Sequence, residues 1–123
     1  MTDSIQIHIV GDNGVGKKSL INLLMKIDDR GFEFSEYNKA YAVIIMFDLN
    51  SRTSFENVES WFRKISERLP IILVGNKSYL PNEIAIEEIK DMKNMHQNFI
   101  YYQNISVKEN QNIDKLCFAI LRM

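Results

Sequence analysis

The sequence predicts an α/β fold, a three-layer sandwich whose reduced, mainly parallel sheet of about four strands lies between helices. Three observations point there. Four short apolar runs, starting at Ser4, Ala40, Ile71 and Phe99, alternate with segments whose apolar residues recur every three or four positions. The run from Ala40 to Phe47 is apolar nearly throughout, as expected for a central strand buried on both faces. The first strand also passes straight into a glycine loop and a helix. With 123 residues, the chain is long enough for one domain with a real core and too short for a second. Hydrophobic residues at 46% and charged residues at 25% fit a folded globular domain and exclude disorder.

Taken in order, Ser4 to Val10 reads as a strand, Gly11 to Gly16 as a loop, and Lys17 to about Asp28 as a helix burying Leu20, Ile21, Leu24 and Ile27. After the strand from Ala40, the stripe Phe55, Val58, Phe62, Ile65 and Leu69 predicts a helix from Ser51 onward, with Ser51 or Thr53 as N-cap and Pro70 as its stop. Trp61, beside this stripe, reads as packing. Ile71 to Val74 predicts a buried strand, Asn82 or Glu83 to Met95 a helix, and Phe99 to Tyr102 the last strand. Asn112 to Met123 predicts a closing helix with Ile113, Leu116, Cys117 and Ile120 inward.

Net charge is −1, and no basic run exceeds Lys17-Lys18, so neither nucleic acid nor an anionic membrane finds a counterpart. The N-terminus has no signal-peptide pattern, and no apolar run reaches bilayer length. An intracellular protein, of cytoplasm or nucleus, is expected. Cys117 reads as a reduced, buried thiol. A second residue other than glycine and the lack of a cysteine near the C-terminus give no lipid anchor. His8 and His96 are the only histidines, and no cysteine pair accompanies them, so no metal set is expected.

The chemistry concentrates in Gly11 to Leu20, GDNGVGKKSL. This matches the phosphate-binding P-loop G-x-x-x-x-G-K-[ST] except that Lys18 stands at the hydroxyl position. The glycines let backbone N–H groups converge on an anion, the helix from Lys17 adds its positive end, and the Lys17 ammonium reaches a phosphate. Asn13, Gly14, Val15, Gly16, Lys17, Lys18 and Ser19 are therefore the candidate phosphate-binding residues. An ordinary glycine-rich turn is the plainer alternative.

Three further stretches follow: AVIIMFDLNSR at Ala42 to Arg52, ILVGNK at Ile72 to Lys77, and YYQNISVK at Tyr101 to Lys108. With the glycine loop, they resemble the Ras superfamily of small GTPases over residues 4 to 30 and 40 to 123, and the run IIMFDLNSRTSFENVESW looks most like its Ran branch. The resemblance implies a guanine nucleotide, GTP or GDP, as ligand. It adds Asn76 and Lys77 of the N-K-x-D motif, and Ser106, Val107 and Lys108 at the S-A-K motif, to the binding residues.

The departures from that family set the functional expectation. The hydroxyl that ligates Mg²⁺ in the family is replaced by Lys18, and Ser19 lies about 100° further round the helix, so the Mg²⁺ site does not carry over. The base-gripping Asp of N-K-x-D is Tyr79 here, a loss on the order of 3 kcal/mol or more, which removes most guanine specificity. Between the first helix and Ala40 only eleven residues, DRGFEFSEYNK, stand where the family has switch I, the D-T-A-G segment and switch II. The sequence thus reads as a truncated G domain over 1–123, a pseudoGTPase that binds nucleotide phosphates weakly and hydrolyses GTP little or not at all, with no catalytic residue. The alternative is a nucleotide-free interaction or dimerisation module; a third reading keeps an active GTPase through Lys18 and Asp48, the latter either a metal ligand or a structural turn residue. The missing strands predict Ile5 to Val10 as an uncovered edge on which a second copy could pair as a homodimer. With the switches gone, binding of transport receptors does not carry over.

Overall fold

The computed structural model describes residues 5–27, 32–34, 40–65 and 68–123, with the backbone alone for Ile5, Ile27 and residues 32–34. The expected strand start at Ser4, the helix end at Asp28, the side chain of Ile27 and most of the 29–39 interval lie outside the described residues. Among the described residues five strands and five helices follow one another: β1 (Ile5–Gly11), α1 (Lys17–Ile27), β2 (Phe32–Phe34), β3 (Ala42–Asp48), α2 (Arg52–Glu56), α3 (Val58–Phe62), β4 (Ile71–Asn76), α4 (Ile86–Asn94), β5 (Phe99–Asn104) and α5 (Ile113–Leu121). The strands form one sheet in the order β2-β1-β3-β4-β5, every pair parallel. The four expected strands are all there; β2 is a short fifth.

Side-chain alternation along the central strands builds the three layers. Ala42, Ile44 and Met46 of β3, with Ile72 and Val74 of β4, join Leu20 and Leu24 of α1 and Leu116, Cys117 and Ile120 of α5 in one core. Val43, Ile45 and Phe47, with Ile71 and Leu73, join Phe55, Val58, Phe62 and Ile89 in the other. Strands buried on both faces must be apolar at successive positions, which is why β3 reads as an unbroken run. Cys117 is buried and outside any disulfide, as its place in the helical stripe predicts. No described helix is long and apolar enough to cross a membrane.

Three sequence expectations are corrected. The β1 edge expected to be bare from Ile5 to Val10 is covered in its first part: β2 pairs in parallel with Ile5, Gln6 and Ile7. A three-residue extended segment suffices to satisfy the backbone groups there, so a homodimer has no free Ile5–Ile7 edge to use. The single helix expected from Ser51 to Leu69 is two five-residue helices broken at Asn57, ending at Phe62. Ser51 caps the first, its side chain accepting from the Ser54 N–H at 3.2 Å. The break falls where the Asn57 side chain is drawn 2.7 Å to Asp12, a contact no helical period encodes. Helix α4 begins at Ile86, later than Asn82 or Glu83, where Glu88 reaches back to the Ala85 N–H at 2.9 Å. An extra residue in β5, between the partners of Ile71 and Ile72, marks the far edge.

Candidate phosphate-binding site

A parallel sheet collects its strand ends on one side, and a ligand settles beyond those ends where the strand order reverses. Here the chain runs from β1 outward to β2, then returns to β3 on the other side of β1. The loop after β1 therefore stands at the reversal, with the ends of β3 at Asp48, β4 at Asn76 and the segment after β5 beside it.

Residues 11–16 make the tight passage from β1 to α1. Gly11 has φ 154°, and a Cβ there would lie 2.3 Å from the Met46 carbonyl oxygen. Gly16 has φ 98°, and its Cβ would meet Asn76 Nδ2 at 2.8 Å. Both positions demand glycine for space as well as conformation. Around Gly14 nothing lies within 4 Å of an added Cβ. Asn13, Gly14, Gly16, Lys17, Lys18 and Ser19 line a depression of about 270 Å³ at this point. Among the described residues, no backbone bond takes the N–H groups of Gly14, Gly16, Lys17 or Lys18. These donors, the start of an 11-residue helix and a lysine ammonium suit a phosphate group.

The Lys17 ammonium reaches back over the loop to the Gly11 carbonyl and lies 5.8 Å from the centroid of the Trp61 ring. Lys18 and Ser19 are both exposed. Asp12 turns the other way: its carboxylate accepts from Asn57 Nδ2 at 2.7 Å and Trp61 Nε1 at 2.9 Å. Loop and α2–α3 segment are thereby tied together. Sequence reasoning assigned Trp61 to packing and missed this link; the only signal was that Asn57 and Trp61 stand four apart, on one helical face.

Asn76 is the hinge of the site. Its Nδ2 donates to the Val15 carbonyl at 2.9 Å, and its Oδ1 accepts from the Val107 N–H at 3.1 Å. One buried amide thus joins the glycine loop to the segment after β5. The Val107 N–H, which the family resemblance gives to the base, is engaged internally. Lys77 takes the left-handed φ of 65°, and its ammonium lies 2.8 Å from Asp48 Oδ2 and 3.4 Å from the Gly14 carbonyl. Ser106 Oγ accepts from the Glu109 N–H at 2.9 Å, closing the turn that carries Val107 and Lys108. The Lys108 ammonium sits 5.1 Å from the centroid of the Tyr79 ring, the residue at the missing Asp position. The structure therefore brings the expected residues of all three motifs to one end of the sheet.

Among the described residues the donors at this end of the sheet do not make a set that suits a divalent cation. Asp48 Oδ2 is committed to Lys77, Lys18 brings a positive charge where a hydroxyl would ligate, and no group of three His, Cys, Asp or Glu among the described residues converges on a point. Asp48 Oδ1 is buried without a hydrogen-bond partner, but a single oxygen beside an ammonium is no magnesium site. Asp48 is not among the residues lining the depression; its Oδ2 faces Lys77 at the end of β3.

A model of the Ras family matches residues 29–123. The match begins just past α1 and takes in everything from β2 to α5, including the Asn76-Lys77 and Ser106-Val107-Lys108 segments. The glycine loop precedes it and is identified from its own residues and geometry.

Proposed function

This chain belongs to the Ras family, and from that premise we propose that its small GTPase-like domain is a truncated, Ran-like member that holds the phosphates of GDP or GTP weakly and hydrolyses GTP little or not at all. The observation that carries this reading is the set of loop N–H groups beside Lys17, in the depression at residues 13–19, that no backbone acceptor among the described residues takes. Weakness follows from what surrounds it. Tyr79 supplies no carboxylate for the base, and Lys18 supplies no hydroxyl to hold a phosphate-bridging metal. Little or no turnover is supported by the sequence, in which eleven residues stand where the family has its water-orienting and metal-holding switch segments. Under this reading the domain works in the cytoplasm or nucleus, independent of membrane, nucleic acid and transport receptors.

The test is thermal unfolding with GDP or GTP at millimolar concentration. At ten times Kd a ligand raises stability by about 1.4 kcal/mol, a shift of several degrees. The shift is expected in the wild type and absent in Lys17→Ala. A flat response to every nucleotide would favour the second reading, a nucleotide-free interaction module, over this one. Multiple-turnover phosphate release abolished in Asp48→Ala would instead establish an active GTPase.

A further inference from the structure

Resting on the phosphate-binding reading above, we propose that this site recognises the diphosphate group alone: it takes nucleoside diphosphates regardless of base, and inorganic pyrophosphate with them, because Tyr79 stands where base discrimination would be made.

Discriminating one base from another takes hydrogen-bonding groups that are unspent at the rim of the site. Around this rim they are spent on the protein itself. Both ends of the Asn76 amide are used, on the Val15 carbonyl and the Val107 N–H. The Lys77 ammonium is shared between Asp48 and Gly14. Ser106 Oγ holds its own turn. Of the described residues in the two base-side motifs, Tyr79, 39% exposed, and Lys108 over its ring are left. Guanine presents two adjacent N–H donors on its Watson–Crick edge, which a carboxylate meets with two acceptors; an ammonium offers none and a phenol one. Adenine's edge is read no better. The ring face of Tyr79 that could stack on a base is occupied by the Lys108 ammonium, and stacking is in any case tolerant of base identity. The phosphate side is the reverse: among the described residues no backbone acceptor takes the loop N–H groups, and Lys17 and Lys18 line the depression with no carboxylate, the Lys17 ammonium resting on the neutral Gly11 carbonyl.

Calorimetric titration of the full chain in EDTA with GDP, ADP, CDP and pyrophosphate tests this. The expected result is that the three nucleotides bind within about threefold of one another and pyrophosphate within about tenfold, all lost in Lys17→Ala. Tyr79→Asp restores a carboxylate at a partly exposed position, and circular dichroism confirms that it folds; GDP should then exceed ADP by tenfold or more. A tenfold preference for GDP over ADP in the wild type, or no gain of preference in a folded Tyr79→Asp, overturns the inference while leaving phosphate binding intact. Failure of all four ligands to bind removes phosphate binding itself, and this inference with it.

Discussion

Asn76→Ala is the perturbation that most directly probes how the site is assembled. Asn76 is 3% exposed, and its amide bonds both the glycine loop and the segment after β5. Truncation leaves the carbonyl of Val15 without a partner and strips the acceptor from the Val107 N–H. Val15 is 1% exposed, so water cannot reach it and the penalty approaches the upper part of the 1–3 kcal/mol range for an orphaned buried group, roughly 2 kcal/mol. Val107 is half-buried, and its N–H should cost about 1 kcal/mol. Together the loss is about 3 kcal/mol, which for a chain of this size lowers the unfolding temperature by roughly 12 °C. With a urea m-value of roughly 2 kcal/mol/M, the midpoint moves down by about 1.5 M. Asn76→Asp is the companion. It keeps an acceptor for Val107 but sets a carboxylate oxygen against the Val15 carbonyl, so it should be no less destabilising at neutral pH. A loss below about 1 kcal/mol in Asn76→Ala, measured by urea unfolding, would refute the bridging role.

The remaining predictions concern the backbone and two titrating groups. Gly11→Ala places a Cβ 2.3 Å from the Met46 oxygen at φ 154°, and the main chain of β3 cannot yield; a loss of about 3 kcal/mol or more is expected in the same urea assay. Arg52 donates through Nη1 and Nη2 to the two Glu88 oxygens at 2.9 and 3.0 Å, and these bonds, with the Ala85 N–H, hold the Glu88 carboxyl down to about 2. A carboxyl with a depressed folded-state value stabilises above its ordinary value and loses that contribution as pH falls from about 4.5 to about 2. The acid-side decline in the urea midpoint over that window should therefore be shallower in Arg52→Ala than in the wild type. Burial pushes the Tyr102 hydroxyl up to about 12. The folded state then keeps its proton longer than the unfolded one, so stability falls as pH rises from 10 toward 12. Ultraviolet difference titration of wild type against Tyr102→Phe should show one phenol ionising near that upper value.

Much of this architecture is written locally. The apolar runs of β1, β3, β4 and β5 and the helical stripes of α1 and α5 follow from periodicity, because a residue's burial on a strand or helix is set by its neighbours two, three or four positions away. The glycine loop was legible for the same reason. Its chemistry lies within ten consecutive residues, and the lysine at position 18 and tyrosine at position 79 that depart from the motif pattern are single letters in recognisable frames.

What connects distant segments was decided only in three dimensions. The strand at 32–34 is too short to declare itself, and its existence depends on the β1 edge it covers. The break at Asn57 depends on Asp12, 45 residues earlier. Asn76 could equally have capped a turn, and its two bonds, 61 and 31 residues away in sequence, required the sheet to bring β1, β4 and the chain after β5 to one end. Periodicity fixes which face a side chain takes; which polar group it meets there depends on how the strand ends converge, and that is a property of the assembled sheet.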